Sequence, residues 1–266
     1  MFGFVPEPDG RGAASVLILG AVIPTNRVTF PFATSQDRQP MKPWIELDTA
    51  AVPGGDTRLR LMQRGDEYSI MLGTNELMNS RLSGSEEELA RLACEPIKAR
   101  PKAHILIGGL GMGFTLRATL TLLNADARIT VAEIVPQVIA WAHGPLGPVF
   151  GDCLADPRVS VVEADVRRLI GAGKNAYDAV LLDVDNGPDG VSREGNDALY
   201  SRAGLAAARA ALRPGGVLAV WSAHPSAEFT RRLEGSGFAS VEENRVRARS
   251  GGRGARHMVW TARKAG

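Results

Sequence analysis

The chain has 266 residues, 44% hydrophobic and 23% charged, which suffices for one large folded domain with a small appendage and is ordinary for a globular protein. A net charge of +2 is too small to argue for nucleic acid as a partner. The two cysteines, Cys94 and Cys153, have neither metal-binding nor redox spacing, so they read as reduced thiols of a cytoplasmic protein and no metal is expected.

The apolar run from Ala13 to Pro24, broken by Ser15 and Gly20, is too short to span a bilayer, and no basic segment precedes it. No membrane association is expected. Residues 1–40 scatter proline and glycine without an amphipathic period, and read as a loose extension or a start-site artefact ahead of Met41. Residues 41–82 read as a small β-element. Within it, Arg58 to Arg64 alternates with period two, and the polar turn Gly65-Asp66-Glu67 leads into Tyr68 to Leu72, the pattern of a hairpin. Ser85 followed by Glu88 has the spacing of a capping box, opening a helix that runs to about Cys94 before Pro96.

From residue 83 to 266 the pattern changes to alternating strands and helices. Strands are expected at 103–108, 128–133, 159–163, 177–183 and 216–221, with helices at 113–123, 135–142, 165–171 and 201–212 between them. Arg213-Pro214-Gly215-Gly216 stops the last helix. Runs such as Ala179-Val180-Leu181-Leu182 are continuously apolar, as strands covered on both faces must be. Right-handed crossovers then give an α/β, doubly wound, mostly parallel Rossmann-like sheet. Phe238 to Arg249 and Arg256 to Arg263, joined by Ser250-Gly251-Gly252, add a C-terminal antiparallel hairpin.

The first of these strands runs into Gly108-Gly109-Leu110-Gly111-Met112-Gly113, and Glu133 closes the next strand twenty residues past Gly113. Gly108, Gly109, Gly111 and Gly113 allow close backbone approach to a ligand, and Glu133 can accept two hydrogen bonds from a ribose diol. Asp165, ahead of Val166, can accept from an exocyclic amine such as adenine N6, and Asp183 ends the fourth strand facing whatever reacts. No Gly-Lys-Ser/Thr follows the turn, which excludes a P-loop, and a second glycine fingerprint for a dinucleotide is absent. The spacing suits one adenosine moiety.

These residues resemble the class I S-adenosylmethionine-dependent methyltransferase fold and, within it, the spermidine synthase (polyamine aminopropyltransferase) family. The resemblance runs from about Glu46 to Arg263 and includes Tyr177 to Asp183 and Pro214-Gly215-Gly216. It implies that the glycine turn and Glu133 hold a methionine-derived tail and ribose, that Asp165 and Val166 hold adenine, and that two copies pair through the β-element. Three departures stand out. Gly111 occupies the place where the family carries an aspartate near the aminopropyl amine. Asn186 in Asp183-Val184-Asp185-Asn186-Gly187-Pro188 falls at the family's second catalytic aspartate, leaving Asp185 as a substitute only through a shifted loop. The family's tyrosine is missing from Glu76 to Glu88, a stretch that keeps its acids.

The expected function is therefore transfer from an adenosyl sulfonium donor, S-adenosylmethionine or its decarboxylated form, to a small molecule, an amine among the candidates. Asp183 and Asp185 are the catalytic carboxylates that take the acceptor's proton. Loss of the acid at Gly111 favours a donor that keeps its carboxylate, and with it methyl transfer. Aminopropyl transfer and non-catalytic adenosyl-ligand binding stand as alternatives. Secondary candidates are His224, a general base near the mouth of the site, and Asn196, Leu199 and Tyr200, which could close over substrate. Arg245, Arg247, Arg249, Arg253 and Arg256 read either as an edge strand kept from aggregating or as a patch for an anionic partner. Trp44, Trp141 and Trp260 read as packing.

Overall fold

A computed structural model describes residues 42–53, 57–184, 187–188, 198–249 and 253–266. The extension 1–40, Asp185, Asn186, Asn196 and the turn 250–252 lie outside these residues. Four short strands come first, β1 (Ile45–Ala51), β2 (Arg58–Arg64), β3 (Glu67–Leu72) and β4 (Asn75–Asn79), paired antiparallel in chain order. The expected hairpin is β2–β3, with Arg64 opposite Glu67 across the Gly65-Asp66 turn. Leu59, Leu61 and Ile70 are buried on its inner face. Asp48 ties this sheet to the rest of the chain by accepting from Gln137 Nε2 at 2.5 Å and Trp141 Nε1 at 2.8 Å. Trp141 is thus both packing and a hydrogen-bond donor.

Helix α1 (Gly84–Cys94) follows, but the Ser85–Glu88 capping box does not form. The helix starts two residues earlier than that box would place it, with Ser83 at its N-cap making no side-chain capping bond. Ser85 is fully buried, and its hydroxyl is engaged elsewhere. A tertiary partner has overridden the local signal.

The main sheet contains β5 (His104–Gly108), β6 (Arg128–Glu133), β7 (Val159–Glu163), β8 (Tyr177–Leu182), β9 (Leu212–Ser222), β10 (Ser240–Arg249) and β11 (Arg253–Arg263). Its order is β10-β11-β9-β8-β5-β6-β7, with β5 to β9 parallel and β10 and β11 antiparallel. The intervening helices are α2 (Phe114–Leu122), α3 (Pro136–His143), α4 (Gly147–Phe150), α5 (Val166–Ala172), α6 (Arg202–Ala211) and α7 (Ala227–Glu234). Helix α7 was not expected from the sequence; Ser226 caps it by accepting from Phe229 N–H.

Alternate residues of the central strands feed two cores. Ile105, Ile107, Ala179, Leu181 and Ala219 pack on the face covered by the N-terminal sheet and α1 to α3. Leu106, Val180, Leu182, Leu218 and Val220 pack on the face covered by α5 to α7. Every residue of β8 is buried, so the continuous apolar run is the period-two alternation of a strand with core on both sides. Strand β9 starts at Leu212 rather than 216. Tyr177 pairs with Leu212 and Ala179 with Val217, so the expected Pro-Gly-Gly turn is an irregularity inside the strand.

Because β5 is flanked by β6 on one side and β8 on the other, the chain order reverses there, and a crevice opens at the carboxyl ends of β5 and β8. At the opposite ends of the same strands, Asp178 is buried and accepts from Arg100 Nη1 at 2.8 Å, Arg213 Nη1 at 2.7 Å and His104 N–H at 2.8 Å.

Candidate functional site

The crevice holds a cavity of about 560 Å³. Its apolar wall comes from the N-terminal sheet (Leu59, Ile70, Leu72, Leu77, Met78) and from Ile134, Val135, Val138 and Val184; its acids are Glu86, Glu133, Asp165 and Asp183. The loop after β5 is shaped by the protein's own contacts. Gly109 has φ +93°, and a Cβ there would lie 2.2 Å from the Asp183 carbonyl oxygen. Gly111 has φ +49°, and a Cβ there would lie 2.6 Å from Met78 Cε. Neighbouring groups thus crowd the position of a Cβ at both glycines, apart from any ligand that the loop approaches. Gly109 and Gly111 line the cavity, whereas Gly108 and Gly113 are pressed against Val166 and Phe150 and do not.

Glu133 is buried and accepts from Leu110 N–H through Oε2 at 3.0 Å and from Val135 N–H through Oε1 at 2.9 Å. These two bonds anchor the glycine loop to the end of β6. Asp165 caps α5, accepting from Arg167 N–H at 2.8 Å, Arg167 Nε at 2.8 Å and Arg167 Nη2 at 2.5 Å. Burial works to raise its pKa, but these Arg167 contacts outweigh it and hold the carboxyl below the usual range. Arg167 is the one cation lining the cavity among the described residues, and it is paired with this acid.

Asp183 differs. Its N–H is fixed by the Gly108 carbonyl at 2.9 Å, and Thr115 Oγ1 donates to Oδ2 at 2.6 Å. Burial pushes its pKa up to about 6, with the Thr115 bond opposing. Glu86, on the first turn of α1, faces it. Burial raises Glu86 to about 7, the Asp183 charge adds to the rise, and Ser85's hydroxyl opposes it. Two poised carboxylates thus share the cavity. Sequence reasoning noted the acids at 86–88 but did not single out Glu86, since an acid early in a helix usually reads as dipole compensation on a solvated face.

Other candidates separate. Leu199 lines the cavity. Tyr200 is buried in the second core, edge-on to Phe229 with ring centroids 5.6 Å apart, and does not close over the site. His224 is exposed and outside the cavity lining, which removes it as a direct base. On β10, an edge strand, Arg245 and Arg249 are exposed while Val246 and Ala248 are buried, the alternation of a protected edge. Cys94 and Cys153 are free. No helix among the described residues is long and apolar enough to cross a membrane.

Residues 84–231 match the spermine/spermidine synthase domain. The chain is similar to a polyamine aminopropyltransferase of Nitrosomonas europaea, 34% identical over 120 residues that are 45% of this chain and 35% of that protein. It is 37% identical to one of Corynebacterium efficiens over 125 residues, 46% of this chain and 22% of that protein. The matched region thus spans about a third or less of these relatives' own length. A solved spermidine synthase in complex with the transition-state analogue AdoDATO superposes with a TM-score of 0.65 at 19% identity, covering 83% of this chain and 72% of that one. That likeness establishes the fold: a mostly parallel seven-strand sheet with a small antiparallel N-terminal sheet and a C-terminal hairpin.

Proposed function

We propose that this chain, which belongs to the spermine/spermidine synthase domain family, transfers an aminopropyl group from decarboxylated S-adenosylmethionine to an amine. The observation that carries this reading is the facing pair Glu86 and Asp183 in a cavity whose one cation among the described residues is already paired. Such a cavity favours ammonium groups and disfavours a carboxylate. The donor that has lost its carboxylate fits, and ordinary S-adenosylmethionine fits less well. The expectation of methyl transfer, drawn from Gly111 alone, finds no support: the acid missing at Gly111 is offset by Glu86, which enters from another element.

The donor supplies an electrophilic carbon on sulfonium and a neutral thioether leaving group. Glu133 orients the ribose, and Asp165 with Val166 borders the purine. Asp183 takes the acceptor ammonium's proton, freeing the nitrogen lone pair for in-line attack. Holding both reactants in a near-attack arrangement can remove roughly 7–11 kcal/mol of barrier. Asp183, with its pKa near 6, is close enough to neutrality to act as that base. Asp185 remains a second proposed carboxylate outside the described residues, and pairing of two copies through the β-element is also a proposal. The acceptor is an amine whose identity a panel of mono- and diamines would determine.

Calorimetric titration with S-adenosylmethionine, its decarboxylated form and methylthioadenosine, followed by product analysis on that panel, tests the reading. Tighter binding of the decarboxylated donor with alkylated amine and methylthioadenosine as products is expected. Methylated products, or binding with no transfer, would overturn it.

A further inference from the structure

Ser85, fully buried near the start of α1, stands between the cavity and the C-terminal hairpin. Its Oγ lies 2.8 Å from Glu86 Oε2 and 2.9 Å from Nδ1 of His257 on β11. A hydroxyl has one proton and two lone pairs, so it can accept from one neighbour while donating to the other. Glu86 is on the cavity wall at one end of this chain of bonds. His257 is half-buried at the other end, its ring edge-on to Trp221 at 4.9 Å.

The reaction of the preceding subsection, on which this inference rests, needs such an outlet. The acceptor enters as R–NH3+ and gives up one proton. Its nitrogen bonds to carbon as the carbon–sulfur bond breaks, and the bonding pair stays on sulfur. The product leaves as a secondary ammonium. One proton per turnover is left in a cavity walled by apolar side chains. We propose that Glu86 receives this proton from the Asp183 side of the cavity and that Ser85 and His257 conduct it to the surface at the hairpin.

The surroundings match the two ends. Burial and the Asp183 charge raise Glu86 from its usual 4.5 to about 7, and Glu87 adds to that rise. Burial lowers His257 from its usual 6.5, and His224 lowers it further. In water the imidazole holds a proton more tightly than the carboxylate; here burial moves the two in opposite directions, strengthening the carboxyl's hold and weakening the imidazole's.

The test has an arm that does not depend on turnover. NMR titration of the His257 ring in the wild type should show a second inflection as Glu86 ionises, lost in both Glu86→Gln and Ser85→Ala. An identical His257 curve in all three proteins overturns the path, whatever the protein catalyses. In steady state, His257→Ala should lower kcat by about tenfold, a modest share of what proton transfer supplies. KM for both substrates should hold and the pH profile should shift, with free imidazole restoring part of the rate. His257→Asn keeps a polar atom at the Nδ1 position without titrating, and should lose rate without rescue. Unchanged kcat and pH profile in both histidine variants overturn the exit role. Coupled titration in a wild type that transfers nothing overturns the transfer reading, and the exit role with it, while the coupled Glu86–His257 pair stands.

Discussion

Two aspartates five residues apart sit at opposite ends of β8, and their environments could hardly differ more. Asp178, at the amino end, is buried and held by two guanidinium groups and a backbone N–H. Asp183, at the carboxyl end, has one hydroxyl donor and faces a second carboxylate. The first is a compensated charge, which ties β5, β8 and β9 together. The second is uncompensated, which costs stability and leaves proton affinity in the range useful for chemistry. Same strand and same residue type, yet only the neighbours brought by other elements separate a compensated acid from the one proposed to react.

The largest expected effect comes from erasing the reactive end. Asp183→Asn should cut turnover by roughly 100- to 10,000-fold, as loss of a positioned base does. Donor affinity measured by calorimetry should stay within a few-fold. If turnover persists, the contrast between the two aspartates is wrong at its functional end. Asp178→Ala should do the reverse, lowering unfolding free energy by about 1–3 kcal/mol, because it removes the acceptor of one backbone N–H and of two partly exposed arginines, while leaving kcat near the wild-type value at low temperature. Urea melts and kinetics on the same sample read both.

A third variant sharpens the comparison by moving an acid. Gly111→Asp alone carries the strain of φ +49° and makes the flexible end of Met78 swing aside, since its Cε lies 2.6 Å from the added Cβ. Combined with Met78→Ala, it should tighten the decarboxylated donor by roughly tenfold or more, the worth of one charge-assisted hydrogen bond. The smallest effect is a pH-dependent one. Glu86 has a raised pKa, so the folded chain binds its proton more tightly than the unfolded chain. Its contribution to stability therefore falls as pH rises from about 4.5 to about 7. Glu86→Gln should raise Tm by roughly a few degrees at pH 8 and leave it unchanged at pH 4. A Tm difference of the same size at both pH values would show that Glu86 is not desolvated as described.

Much of the fold was legible. Strands β6 and β7 fall at the expected residues, because apolar β-branched runs bounded by turn residues have few other ways to bury themselves. The Gly108–Gly113 loop, Glu133 and Asp183 also meet at one crevice as expected. Helix α7 escaped notice because its eight residues are strongly polar and only Phe229 and Leu233 are buried. Ser85 misled because its spacing to Glu88 is locally a cap, whereas its decisive partner, His257, lies 172 positions away.

Taken alone, the order of residues determined which segments are strands and where the chain bends sharply. Those follow from local sterics and from the period of apolar side chains, which act over a few residues. Tertiary structure decided which acids are neutralised and which are not, that Met78 fills the space beside Gly111, and that Glu86 rather than a residue of the glycine loop supplies the second carboxylate. Charge compensation and desolvation act through space over a few ångströms, and only folding sets those distances.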